Sequence, residues 1–128
     1  MVKVTAAILI HQNKILIARR KDNDPLAGKW EFPGGKIEQN ETPQQGLTRE
    51  MKEEFGIDVL VGEFFGESIY RYGPKTIQLL SYRVVWTAGK FSLNAHADYN
   101  WVSLEQLQDF DFAPADINFV NKLLRENI

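Results

Sequence analysis

The sequence predicts an α/β fold in which helices pack on a mixed β-sheet. Three observations carry this. β-Branched and aromatic runs outnumber helical ones along the 128 residues. One segment among them, residues 43–55, has both ends of a helix written into it. A second apolar-periodic stretch closes the chain after Pro114. Elements that each bury one apolar face settle into such layers.

In chain order, residues 2–10 (VKVTAAILI) read as a buried strand, 11–14 as a turn and 15–18 as the return strand of a hairpin. Residues 21–29 are polar and contain Pro25 and Gly28, which marks a loop. Trp30, Glu31 and Phe32 form a short strand stopped by Pro33-Gly34-Gly35. Thr42 then offers a hydroxyl N-cap, Pro43 the first helical position, and Gln45 the return partner of a capping box. Gly56 stands where the helix end needs a left-handed residue, and Leu47, Met51 and Phe55, four apart, are the apolar stripe. Residues 58–65, 67–72 and 76–87 read as three strands, with turns at Gly73-Pro74 and Ala88-Gly89, and residues 99–102 as another. Ser103 opens a short helix. Pro114 opens a final one with Ile117, Val120, Leu123 and Leu124 inward.

Length and composition bound the rest. A chain of this size, 44% hydrophobic and 25% charged, is expected to be one domain over residues 1–128 with a core that needs no staple. These ordinary fractions exclude disorder and fibrous repeats. With no Cys, disulfide scaffolds, thiolate zinc sites and cysteine nucleophiles are excluded. A net charge of −2 argues against a dedicated nucleic-acid binder. The first residues carry no cleavable signal, and no apolar run approaches the ~18 residues of a membrane span. The expectation is a cytoplasmic domain, monomer or homodimer, without a stable nucleic-acid or membrane partner.

Glu50, Glu53 and Glu54 lie at i, i+3 and i+4, on one helix face that borders the apolar stripe. Like charges at that spacing repel, so they gain only if a cation sits among them. The alternative is a plain solvated acidic face. Carboxylates without thiolate or imidazole suit a hard cation, Mg²⁺ or Mn²⁺. Arg49 stands beside the acids as a brace. Gly46, a turn earlier, leaves room on the same face.

What precedes the helix favours the cation. From Gly35 the chain runs six residues to Glu41, and then Arg49-Glu50-Met51-Lys52-Glu53-Glu54-Phe55-Gly56-Ile57 follows. This resembles the Nudix box, Gly-x5-Glu-x7-Arg-Glu-U-x-Glu-Glu-x-Gly-U with U a bulky aliphatic residue, at every specified position. The segment Trp30 to Glu38, the hairpin Lys14 to Arg20 and the late Phe112-Ala113-Pro114-Ala115-Asp116 are similar to MutT-type Nudix enzymes, the last most of all to the CTP pyrophosphohydrolase branch, beside the 8-oxo-dGTP diphosphatases. The resemblance implies an α/β/α sandwich with a mixed sheet. It also implies a metal-dependent hydrolase that splits nucleoside triphosphates into monophosphate and pyrophosphate, a task of nucleotide-pool sanitation and DNA repair. By the same resemblance the metal ligands are the Gly34 carbonyl, Glu50, Glu53 and Glu54, and Arg49 orients a catalytic carboxylate.

A triphosphate brings charges that three carboxylates would repel unless divalent ions stood between them. Glu53 is the first choice for the base that takes a proton from the attacking water, and Glu50 the second. Family members often carry a further acidic ligand where this chain has Ala95. Asp98 is the nearest carboxylate and is the candidate substitute, against a plain turn role. Asp116 suits an exocyclic base amine, since a carboxylate only accepts hydrogen bonds, but a first-turn helix acid is the ordinary reading. Phe32 and Tyr82 are candidates for base stacking or for core. Arg20, Lys36 and Arg71 are candidates for phosphate. His11 and His96 have no partner at ligand spacing. Tyr72 and Pro74 leave open an ADP-ribose or dinucleoside-polyphosphate hydrolase. A non-catalytic nucleotide sensor on the same fold is the reading from another class.

Overall fold

Alternation along the first two strands decides the layers. The computed structural model describes residues 1–21 and 26–126, so Pro25 of the predicted loop lies outside the described residues. β1 (Val2–His11) and β2 (Lys14–Arg19) form a hairpin, turned by Gln12 and Asn13 at φ 51° and 65°. Ala6, Ile8, Ile15 and Ile17 enter one core cluster, and Ala7, Leu9, Leu16 and Ala18 the other. Side chains of a strand alternate between faces, so both faces of this sheet are buried and each needs a helix. α1 (Pro43–Phe55) covers one with Leu47, Met51 and Phe55, and α2 (Ile117–Glu126) covers the other with Phe119, Val120 and Leu123. The result is the predicted α/β/α sandwich.

The strand order is β3 (Trp30–Glu31), β2, β1, β5 (Lys75–Ala88), β4 (Asp58–Tyr72), with β6 (Asp98–Val102) also on β2. β1 and β5 run parallel and the other pairs are antiparallel, so the sheet is mixed. β1 meets β2 only next to their turn. Farther along, the segment after β3 takes over the edge of β1. Ala7 N donates to the Pro33 carbonyl at 2.7 Å, Thr5 N to Gly35 at 2.8 Å, and Ile37 N to Lys3 at 3.0 Å. This docking carries the Gly34-Gly35 turn to α1.

The helix caps are as expected: Thr42 accepts from Gln45 N, Gln45 returns the bond, and Gly56 is left-handed at φ 70°. Three expectations need correction. Residues 58–65 and 67–72 are one strand, because the break between Phe64 and Gly66 is only a register shift and Gly66 stays paired with Ser81, whose Oγ donates to its carbonyl. β3 stops one residue early, since Phe32 N donates to the Asp116 side chain instead of a strand. Ile117 faces outward. Pro114–Asp116 forms a 3₁₀ turn before α2, which shifts the helical phase and brings Phe119 inward in its place.

Candidate active site

Two glycines set the site by what they lack. A Cβ on Gly34 would stand 2.0 Å from the Thr5 carbonyl oxygen, and one on Gly35 2.4 Å from the Glu50 carboxyl carbon. Gly34 thus lets two backbones touch, and Gly35 lets a carboxylate rest on the chain.

Arg49 ties this turn to the helix. Its Nε donates to Glu41 at 2.8 Å, Nη1 to Glu50 at 2.9 Å and Glu53 at 3.2 Å, and Nη2 to the Lys36 carbonyl at 3.0 Å. The Glu41 bond, then Glu50, holds the guanidinium in its charged form. In return Arg49, helped by the Glu38 N–H, lowers the pKa of Glu41. A planar fork with donors on three sides suits this role and an ammonium does not.

Glu54 has no such brace. Burial pushes its carboxyl up to about 9, with Glu50, Glu31 and Glu53 adding to the rise, and its buried Oε1 has no hydrogen-bond partner among the described residues. Among the described residues no three acidic or imidazole groups close on one point in this arrangement. The donor set still fits a divalent cation. An orphaned carboxylate oxygen, flanked by acids and with only oxygen and imidazole nearby, is satisfied by a positive ion that displaces the proton.

Glu54 opens on a cleft of about 570 Å³, whose walls include Thr5, Arg20, Gly34, Lys36, Ala95 and Ala115. Glu31 and Asp116 also line it. Arg20 donates to Glu31 at 2.6 Å, and His96 Nε2 lies 2.8 Å from the other Glu31 oxygen. Asp116 is buried and accepts from Phe32 N at 3.1 Å. Burial drives its pKa upward and Glu31 adds to this, against the Phe32 bond and Arg20. Tyr72 Oη, accepting from Ala115 N, holds the 3₁₀ turn that presents Asp116.

Residues 1–123 match the NUDIX domain profile. The chain belongs to the Nudix family. It is 38% identical over 117 residues to a CTP pyrophosphohydrolase of Escherichia coli, covering 91% of this chain and 87% of that protein. It is 32% identical over 128 residues to an 8-oxo-dGTP diphosphatase of Haemophilus influenzae, covering 98% and 93%. Among solved structures, the solution structure of the E. coli ORF135 protein superposes with TM-score 0.87 at 34% identity, covering 98% of this chain and 89% of that one. The MutT protein from Methanosarcina mazei gives 0.87 at 29% identity, with 98% and 94% covered. The chain is thus a Nudix hydrolase, of a family that works on phosphoric anhydride bonds with divalent metal ions.

Within this Nudix domain the box residues Gly34, Gly35, Arg49, Glu50, Glu53 and Glu54 are brought together, and Arg20, Lys36, Phe32 and Asp116 join them at the cleft. Phe32 is a wall more than a stacking platform, since it is 2% exposed and packed on Phe112. Three candidates lie elsewhere. Tyr82 points into the core under α1 and does not line the cleft. Arg71 is exposed and donates to the Gly73 carbonyl at the β4–β5 turn. Asp98 opens β6, where its side chain accepts from Tyr99 N, and it does not line the cleft, whereas Ala95 does. His11, at the end of β1, packs against Trp86 with the rings tilted by 49°. The Nudix cleft also contains two residues that spacing did not reveal, Glu31 and His96. Their one signal in the sequence was a charged residue in the short strand and a histidine beside Ala95.

Proposed function

We propose that this Nudix domain, one unit over residues 1–128, hydrolyses nucleoside triphosphates to monophosphate and pyrophosphate with Mg²⁺ or Mn²⁺, on CTP or dCTP or an oxidised purine such as 8-oxo-dGTP, and so guards the nucleotide pool of the cytoplasm. The supporting observation is the Arg49 fork, which holds Glu41, Glu50 and Glu53 in one frame beside the half-buried Glu54. Relatives named for CTP and for 8-oxo-dGTP add to it.

When bound, a divalent ion supplies neutralisation of the triphosphate and a water of lowered pKa. Glu50 and Glu54, with the Gly34 carbonyl, would hold it. Glu53 is the more exposed acid, 59% of its side chain being accessible, and has an oxygen free to take the proton of the attacking water. Arg49 keeps that carboxylate aimed. Lys36 and Arg20, at the cleft, meet phosphate oxygens. Asp116 Oδ1 is committed to Phe32 N, which leaves Oδ2, in the ionised form, to accept from a base amine such as cytosine N4.

A panel of CTP, dCTP, 5-methyl-dCTP, 8-oxo-dGTP, dATP and ADP-ribose, each with Mg²⁺ at mildly alkaline pH, tests this. Pyrophosphate release from a cytosine or 8-oxo-guanine triphosphate is expected. Monophosphate from none of the triphosphates overturns it; turnover of ADP-ribose alone would favour the sugar-nucleotide branch.

A further inference from the structure

His96 enters the cleft from the loop ahead of β6. Its ring lies parallel to Phe55, with centroids 5.6 Å and planes 11° apart, and 7% of its side chain is exposed. Nε2 is 2.8 Å from Glu31 Oε2. A carboxylate only accepts, so Nε2 carries the hydrogen, and in the neutral ring Nδ1 presents a bare lone pair. That atom lies 4.0 Å from Glu54 Oε1, and neither of the two buried atoms has a hydrogen-bond partner among the described residues. The gap is too long for a hydrogen bond between them. Two ligands of one cation, each about 2.1 Å from it, stand roughly 3 Å apart at a right angle and about 4 Å apart when opposed.

We propose that His96 is a metal ligand through Nδ1 and forms, with Glu54, a mixed nitrogen–oxygen site for a divalent cation beside Ala95. Glu31 is then the outer carboxylate that fixes the imidazole tautomer and raises its basicity, an arrangement common behind metal-bound histidines. Arg20, donating to the second Glu31 oxygen at 2.6 Å, keeps that carboxylate in place. The parallel Phe55 ring fixes the imidazole plane. Ala95 brings no donor atom, and its neighbour supplies one. An imidazole ligand also shifts preference: Mn²⁺ accepts nitrogen more readily than Mg²⁺, so this site favours Mn²⁺.

The proposal rests on the reading of the acidic helix as a metal site, and Mn²⁺ alone, added to the purified protein, separates the two. Electron spin echo envelope modulation of bound Mn²⁺ should show the nitrogen-14 coupling of a directly bound imidazole. His96→Gln should abolish it and weaken Mn²⁺ binding roughly tenfold or more, with a smaller loss for Mg²⁺, while Glu31→Gln keeps the coupling and weakens binding by about tenfold. Bound Mn²⁺ without nitrogen coupling, or a coupling that survives His96→Gln, overturns the role of His96 and leaves the acidic helix standing. Mn²⁺ that does not bind at all overturns both.

Discussion

The Glu50 carboxylate rests on Gly35, 2.4 Å from where a Cβ at that position would stand. Gly34, one residue earlier, meets the backbone of Thr5 instead, with its missing Cβ 2.0 Å from the carbonyl oxygen. Adjacent glycines therefore serve different ends. A carboxylate at the tip of a flexible side chain can swing aside, whereas a strand paired on both edges cannot. Gly35→Ala should keep the fold and weaken metal binding and kcat by about tenfold or more, because Glu50 has to leave its place. Gly34→Ala should instead cost about 1–3 kcal/mol of stability and several degrees of Tm. Thermal denaturation and metal titration of the two variants, side by side, check this; equal effects on both quantities would count against it.

Glu53→Gln removes a proton acceptor and a charge without changing shape. It should cut kcat by about two powers of ten or more, with Tm nearly unchanged, since Glu53 is exposed and among the described residues pairs only with Arg49, at 3.2 Å. Lys52→Gln is the control on the same helix. Lys52 points away to an exposed pair with Asp58 at 3.3 Å, and its loss should stay within about 0.5 kcal/mol with turnover intact. A loss below tenfold in Glu53→Gln moves the base to Glu50.

The pH dependence of the metal-free protein has a defined sign. Glu54 titrates near the ordinary 4.5 when unfolded and at about 9 when folded, so between those values the folded chain holds a proton that the unfolded chain has released. Stability then falls as pH rises through that window, by on the order of a few kcal/mol. A divalent cation replaces that proton, so the Tm gained on adding Mg²⁺ should grow from pH 6 to pH 9. Glu54→Gln should flatten both trends. Melting curves in chelator and in Mg²⁺ across that range decide it, and a metal-free Tm that climbs with pH would contradict the assignment.

Asp116→Asn tests base selection. Phe32 N holds Oδ1 at 3.1 Å, and an asparagine oxygen would keep that bond, which sets its amide nitrogen where Oδ2 was. A donor then faces a base amine, a mismatch of about 1–3 kcal/mol, or roughly tenfold to hundredfold in kcat/KM for CTP. UTP, with a carbonyl there, should lose less or gain. The ratio of the two is the measurement, since a fault in folding lowers both alike; an unmoved ratio assigns base selection to other groups.

The chain's local grammar was legible without coordinates. Thr42, Pro43, Gln45 and Gly56 define α1 because caps depend on the backbone within a few residues, and the i, i+3, i+4 spacing of Glu50, Glu53 and Glu54 puts them on one face of any helix. The apolar run of residues 2–10 likewise read as a buried strand. What lay beyond reach was everything set by contacts between distant segments. Tyr82 and Phe32 look equally fit to stack on a base, and only the register of β5 against β1 sends Tyr82 under α1. Asp98 stood nearer in sequence to the missing acid than any other carboxylate, but pairing with Arg19 at the start of β6 turns it from the cleft. His96 showed no partner at ligand spacing because its partners, Glu31 and Glu54, are 65 and 42 residues away and meet it only through β3 and α1. Periodicity and capping act over one or two turns of chain, so the sequence alone determined the elements and the acidic face. Burial and long-range hydrogen bonding exist only once the layers close, and they decided which of the remaining polar residues face the cleft.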